Sequence, residues 1–321
     1  MNLFITGATG SLGTALVASS LRDPSVERVV AFSRDEVKQA ALGELMHYHP
    51  KLRLFLGDVR DQARVEEALW HCDTVIQCAA LKRVDALAYN PSEVFQTNIL
   101  GTWNVLRAAR GRVARVLIIS SDKAVRAQNC YGVSKAAAEH LAVNENVYGF
   151  PQGTRTSVLR YGNVLGSRGS VIHTWRAAVL RGDPITLTHP EMTRFWLTLD
   201  DAVGLVGQCL ELMRGGELFV PVVPSMRLRE LAEALAPGYP VMITGMRPGG
   251  EKLHEELLTD EELTRTVARP DVNLYVVTPA IRTWSDHPYE GLPVQQEWQY
   301  RSDQNPWWLS IADMRKLLEN I

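Results

Sequence analysis

The sequence predicts an α/β protein built on a doubly wound parallel sheet, with a smaller α/β lobe supplied mostly by its carboxyl-terminal third. Three observations carry that expectation. The chain opens on an apolar strand that runs directly into a glycine-rich turn and a helical pattern, "NLFITGATGSLGTALVASSLRD". Short apolar runs then alternate with helical stretches through the first half, as in βαβ units whose sheet is covered on both faces. Third, 321 residues with 46% hydrophobic and 22% charged side chains can bury the core of a two-lobed body.

The first turn places Gly7, Gly10 and Gly13 at GxxGxxG spacing. Gly7 permits a tight turn, Gly10 lets backbone approach a pyrophosphate, and Gly13 allows helix to pack closely on strand. The free N–H groups of the helix N-terminus then meet the anion. With Thr9, Ser11 and Leu12 in the same turn, this is the expected phosphate cradle of a Rossmann-like domain, because a strand precedes it and a helix follows. The second strand, "RVVAFSRDE", ends about twenty residues beyond Gly13, where an NAD-preferring site offers an acid to the ribose. Ser33 and Arg34 stand there instead. A hydroxyl beside a guanidinium suits a 2'-phosphate, which predicts NADP. NAD stays possible if Arg34 is merely solvated and Asp35 takes the ribose.

The third strand, "KLRLFLGDVRD", brings Asp58 and Val59 to the expected adenine end, and "DTVIQCAALKRV" turns out over the cofactor at Ala79 and Ala80; Asn98 is placed near the cofactor as well. "VARVLIISSDKA" is the next strand. Residues at strand carboxyl ends face the ligand crevice of such a sheet, which assigns Ser120, Ser121, Asp122 and Lys123 to it. A helix starting near Asn129 sets Tyr131 and Lys135 one turn apart on one face. A lysine ammonium and a cationic nicotinamide beside a phenol lower its pKa toward that of a general base, with Ser121 holding a substrate hydroxyl in line. YxxxK alone reads equally as a surface i,i+4 pair. The glycine turn and the strand-end serine favour the catalytic reading.

A formal net charge of −2 provides no basic field for nucleic acid or an anionic membrane surface, so an anionic ligand must be met locally. No run of about 18 apolar residues is present, and the amino terminus enters a strand without a signal-like segment. The expectation is a cytoplasmic protein. Cys72, Cys78, Cys130 and Cys209 form no CxxC pair and lack histidines at metal-ligand spacing, so no metal is expected.

TGATGSLG, the Tyr131-x-x-x-Lys135 pair and the upstream serine resemble the extended short-chain dehydrogenase/reductase superfamily. "SRDEVKQ", "CAALKRVDALAYNPSEVFQTNILGTWNV", "SSDKAV", "LRYGNVLGSRGSVI", "EMTRFWLTLDDAV" and "RPGGEKLHEELL" narrow the resemblance to nucleotide-sugar 4,6-dehydratases of polysaccharide biosynthesis. The match is closest to the inverting UDP-N-acetylglucosamine 4,6-dehydratases and spans residues 1 to about 315. It implies oxidation at C4, loss of water across C5–C6 and return of the hydride to C6, with inversion at C5. The resemblance gives Asp122 the role of acid toward the leaving hydroxyl and Lys123 that of C5 base. It places Lys82 near the sugar and cofactor, Asn163 at the nucleotide or its loop, and Arg194 and Arg247 at the substrate diphosphate. Glu251 is a candidate for uracil or ribose, or a partner of Lys252. Ser121 for Thr, Ala127 for Pro, Arg83 for His, His189 for Asp and the extra Gly250 depart from the family pattern.

Residues 1–164 and about 195–224 are expected to form the NADP domain, and 165–194 with 225–321 the sugar-nucleotide lobe. "GELFVPVV" and "YPVMITG" read as strands, "LRELAEALA" and "TDEELTRTV" as helices, and "QEWQYRSDQNPWWLS" as a segment packed on the body. Trp307 and Trp308 read as core or subunit contact. Superfamily members usually associate through helices, which implies a dimer or larger. Two rivals remain open: an epimerase or reductase, which needs neither Asp122 nor Lys123, and a silent NADP-binding regulator.

Overall fold

The computed structural model describes residues 1–149, 153–247, 249–281, 289–295, 298–319 and 321. The chain lays down β1 (Asn2–Thr6), β2 (Arg28–Ser33), β3 (Leu52–Leu56), β4 (Thr74–Gln77), β5 (Arg115–Ile119) and β6 (Arg155–Leu159). Next come β7 (Asn163–Val164), β8 (Ile185–Leu187), β9 (Thr193–Leu197) and β10 (Leu218–Pro221). The last are β11 (Ser225–Arg227), β12 (Val241–Ile243), β13 (Thr266–Arg269), β14 (Leu274–Val277) and β15 (Leu292–Pro293).

The large sheet has the order β15-β13-β14-β10-β6-β5-β4-β1-β2-β3. From β3 to β10 every pairing is parallel; β14, β13 and β15 continue it antiparallel. Strands β1, β2, β4 and β5 are buried almost throughout, which is why they read as continuous apolar runs. Their order reverses between β1 and β4, and a Rossmann-like sheet opens its ligand crevice there. Helices Ser11–Arg22, Gly101–Ala109, Cys130–Gly149 and Leu199–Leu212 flank the sheet.

A second, smaller core gathers Leu165, Trp175, Leu187, Trp196, Leu231 and Met314. It carries a three-stranded sheet, β11-β9-β7, and a two-stranded one, β12-β8. This lobe is smaller than the sequence suggested. Residues 266–277 and 292–293, expected in the lobe, pair onto the large sheet, whereas β9, expected in that sheet, pairs with β7 and β11. Strand pattern reveals burial, not which sheet supplies the partner edge. The helical reading of "TDEELTRTV" likewise ends at Leu263. Thr259 caps that short helix in a reciprocal capping box, and Thr266–Arg269, rich in β-branched residues, takes the edge offered by β14.

The aromatic tail packs as expected for Tyr300, which is buried against Phe195 and Trp298 at ring distances of 5.0 Å. Gln296 and Glu297 of that segment lie outside the described residues. Trp307 is half exposed and so no part of the core, and Trp308 stacks under Arg227.

Candidate active site

At the carboxyl end of β1 the chain turns through Gly7 at φ +61°, and a Cβ there would lie 2.8 Å from the Cα of Ala79. A Cβ on Gly13 would lie 2.3 Å from the Gly7 carbonyl oxygen. Both side-chain hydrogens are therefore required: one for the turn past β4, the other for seating the helix that starts at Ser11. Gly10, Thr9, Val59, Asp58, Ala79 and Ala80 border the resulting crevice of about 310 Å³. Leu12 sits in the first helical turn and packs partly against the core. A dinucleotide fits this cradle, because backbone replaces side chains where a pyrophosphate must approach.

Ser33 and Arg34 line the other end of the crevice. The Ser33 hydroxyl is buried and has no hydrogen-bond partner among the described residues, an orphan that a ligand oxygen would satisfy. Asp35, the alternative ribose acceptor, is committed elsewhere. Its Oδ1 caps the next helix through Lys38 N at 3.0 Å and its Oδ2 pairs with Lys38 Nζ at 2.8 Å. Arg34 stands 3.6 Å from Asp58 and is half exposed. Asn98 does not line the crevice. Its amide clamps both backbone groups of Leu81, at 2.8 and 2.9 Å, and the Ser134 hydroxyl at 2.9 Å, so it ties the loop after β4 to the helix carrying Tyr131.

Where β5 ends, Ser121 caps a short turn over Asp122–Ala124. Its hydroxyl donates to Asp122 Oδ1 at 2.8 Å. The helix Cys130–Gly149 begins one residue after the position read from sequence and carries Tyr131 and Lys135. Both side chains are enclosed. Burial pushes the Tyr131 phenol up to about 12, a hydrogen bond with Ser121 opposes the rise, and Asp122 adds to it. Burial pulls the Lys135 amine down to about 8 against the pull of Glu139 and Cys78. Its Nζ donates to the Ile119 carbonyl. The chain by itself therefore does not provide the depressed phenol pKa expected from the YxxxK spacing, because desolvation outweighs the Ser121 hydrogen bond.

Asp122 is wholly buried, and burial raises its pKa; Lys123 opposes the rise and Glu255 reinforces it. Lys123 Nζ is held by Asp122 Oδ2 at 2.9 Å, by Asn163 Oδ1 at 2.9 Å and by Glu255 Oε1 at 3.3 Å. One acid is thus biased toward its protonated form beside an amine fixed by three acceptors.

Two members of this cluster were missed by sequence reasoning: Glu255 and Lys252. Lys252 Nζ binds the carbonyls of Asp122 and Val125, so the part of "RPGGEKLHEELL" around Lys252 folds over the catalytic turn. The signal lay within that segment, where Lys252 and Glu255 stand three apart and pair at 3.3 Å, but nothing local indicates a partner 132 residues earlier in the chain, as Lys123 is.

The remaining sequence candidates are placed unequally. Asn163 joins the cluster through Lys123. Lys82 is exposed, yet the protein around its amine and the nearby Arg168 lower its pKa. Arg168, also missed, reaches across from the smaller lobe to the Thr9 carbonyl at 2.6 Å and, through its backbone N–H, to the Ser11 hydroxyl at 3.0 Å. Arg194 is buried, with its guanidinium on the carbonyls of Thr193, Leu253 and Lys252, so its donors are spent within the protein. Arg247 is exposed and 3.7 Å from Glu251, which also faces Arg194 at 3.6 Å. Among the described residues, no helix is long and apolar enough to cross a membrane.

The UDP-N-acetylglucosamine 4,6-dehydratase (inverting) of Campylobacter jejuni subsp. jejuni serotype O:2 is 37% identical over 99% of this chain and 97% of its own. The UDP-glucose 4-epimerase of Rickettsia massiliae is 38% identical over 82% of this chain and 79% of its own. Among solved structures, Pen from Bacillus thuringiensis superposes with a TM-score of 0.90 and 31% identity, over 100% of this chain and 98% of that one. Residues 3–277 match the family described as "Polysaccharide biosynthesis protein", and the chain belongs to that family.

Proposed function

We propose that the chain is an NADP-dependent 4,6-dehydratase that converts UDP-N-acetylglucosamine to a UDP-4-keto-6-deoxy sugar with inversion at C5. The observation that carries the reading is the buried Asp122 beside Lys123, an acid and an amine beyond what C4 oxidation requires. The near-full-length likeness to an inverting dehydratase supports it. The orphan Ser33 hydroxyl, the adjacent Arg34 and the commitment of Asp35 to its helix cap support NADP over NAD.

Gly7, Gly10, Thr9, Ser11, Ser33 and Arg34 would hold the cofactor. When bound, the nicotinamide supplies the oxidant for C4 and the reductant for C6. Tyr131 takes the C4 hydroxyl proton while Ser121 orients that hydroxyl. The lowering of the phenol pKa that this needs comes from Lys135 and the positive charge of the oxidised ring. The new ketone acidifies C5–H, Lys123 accepts that proton, and Asp122 protonates the C6 hydroxyl as water leaves. Lys82 and Arg247 are assigned to the substrate side. Arg194 braces Glu251 rather than meeting the diphosphate directly. Exposed Phe95, Leu100, Trp103, Val147 and Tyr148 on the helices flanking the sheet support a homo-oligomer formed through helices. Cytoplasmic action on a UDP-sugar belongs to the same proposal.

The test is UDP-N-acetylglucosamine with the purified protein and NADP in deuterated water, followed by proton NMR and mass spectrometry. A C6 methyl, loss of one water and deuterium at C5 are expected, and the C5 couplings report inversion. An intact sugar with altered C4 configuration would replace this reading with that of an epimerase.

A further inference from the structure

Glu255 is only 2% exposed, and it is a carboxylate that no step above employs. Its backbone is pinned on both sides by Ser302, whose Oγ accepts from Glu255 N at 2.9 Å and whose N–H donates to the Glu255 carbonyl at 2.8 Å. The side chain meets three basic groups: the Lys123 and Lys252 amines at 3.3 Å each, and Arg194 Nε at 3.7 Å. Burial favours its neutral form, but Lys123 when protonated, Arg194 and Lys252 hold its pKa below the usual carboxylate range. Its Oε2 is the atom that faces Lys252 and, among the described residues, it accepts no hydrogen bond. A carboxylate so fixed stays charged and stays where it is.

We propose that Glu255 is a positioning residue for the elimination, holding the Lys123 amine in place and stabilising the ammonium that Lys123 becomes when it takes the C5 proton. The proposal rests on the dehydratase reading. In the elimination, the C5–H electron pair becomes the C5–C6 double bond and the proton passes to Lys123. The C6–O bond breaks as Asp122 gives its proton to the departing hydroxyl, which leaves as water. Lys123 gains one positive charge and Asp122 one negative charge, while Glu255 remains a carboxylate throughout. A fixed anion 3.3 Å from the amine favours the charge that develops there. C4 oxidation moves no proton onto Lys123, so it gains nothing from Glu255.

Glu255→Gln keeps the shape and removes the charge. In single-turnover experiments with UDP-N-acetylglucosamine in deuterated water, C5 deuteration and C6 methyl formation should slow about ten- to a hundredfold, the range for losing one charged hydrogen-bond acceptor. The near-ultraviolet absorbance of reduced nicotinamide, which reports C4 oxidation, should rise at close to the wild-type rate and then persist. Equal slowing of both signals would mean a merely structural role and overturn the proposal, as would wild-type C5 deuteration. Should Glu255→Gln fail to fold, Glu255→Asp carries the same test, because it withdraws the carboxylate from Lys123 while keeping its charge. A wild-type protein that makes no 4-keto-6-deoxy sugar would instead refute the functional reading itself.

Discussion

Replacing Arg160 by methionine should destabilise the protein by about 3–5 kcal/mol, the cost of removing one partner from a buried ion pair. Arg160 is 4% exposed and uses all five N–H donors. Two go to Glu139 at 3.0 and 2.7 Å, two to Glu262 at 2.8 Å each, and one to the Leu257 carbonyl at 2.9 Å. Methionine fills similar space but leaves the buried Glu139 and the part-buried Glu262 without the cation they share. Arg160→Lys should recover only part of the loss, since one ammonium cannot satisfy two carboxylate forks. The sign of the pH dependence follows from Glu262. Burial alone would raise its pKa, but Arg160 holds it below the usual value in the folded chain. Its contribution is therefore present above the unfolded carboxylate pKa of about 4.3 and is lost as pH falls through the lower folded value. The difference between wild type and variant should accordingly shrink below about pH 4. Urea unfolding followed by both fluorescence and circular dichroism measures this, and the two probes must coincide for the free energy to be defined. A loss under about 1 kcal/mol at neutral pH, a surface-pair value, would refute the reasoning. Glu139 lies one turn beyond Lys135 on the catalytic helix, so the variant should also lose activity before it loses its fold.

Gly13→Ala sets a Cβ against the backbone of Gly7 and Ala8, and neither can yield without moving the phosphate cradle. NADP affinity by calorimetry should fall about tenfold or more while the fold survives. Arg34→Ala should weaken NADP about tenfold and leave NAD nearly unchanged, because only the former carries the phosphate that the guanidinium would meet; equal losses would assign Arg34 to a part both cofactors share, and no loss would assign it to the surface. Lys123→Gln should still reduce the bound nicotinamide with UDP-N-acetylglucosamine, yet slow C6 methyl formation by about a hundredfold or more.

The glycine turn, the strand carrying Ser121 and the Tyr131–Lys135 spacing were legible because each is local: the physics of a tight turn or one helical turn is complete within about eight residues. The parallel sheet followed from the alternation of apolar runs and helical stretches, whereas its strand order is seen only in the fold. Arg194 shows where local reading stops. An arginine in an aromatic strand looks available for a diphosphate, and only the fold reveals three carbonyls already holding it. Glu255 is the converse case. Its segment was legible as a motif, but its role depends on Lys252 reaching the Asp122 and Val125 carbonyls, a contact between distant parts of the chain. Asp35 combined both limits, since its place as a helix cap and its place near a ribose are equally compatible with "SRDE".

Gly250 links this long-range contact to a departure visible in the sequence. It adopts φ +89°, and a Cβ there would lie 2.4 Å from the Gln128 carbonyl oxygen. Its own carbonyl accepts from Asn129 Nδ2 at 2.8 Å, and Oδ1 of the same side chain accepts from Gly132 N at 2.9 Å at the start of the catalytic helix. The extra glycine is therefore where the segment bearing Glu255 rests on the turn between Lys123 and Tyr131. Gly250→Ala imposes left-handed strain of about 1–2 kcal/mol together with a backbone clash. Backing away would carry Lys252 and Glu255 from Asp122 and Lys123, none of which borders the nucleotide crevice. The expected variant binds NADP with wild-type affinity and oxidises C4, but loses C6 methyl formation. Weakened NADP binding in parallel with the lost methyl would show that the segment supports the whole site and not the elimination pair.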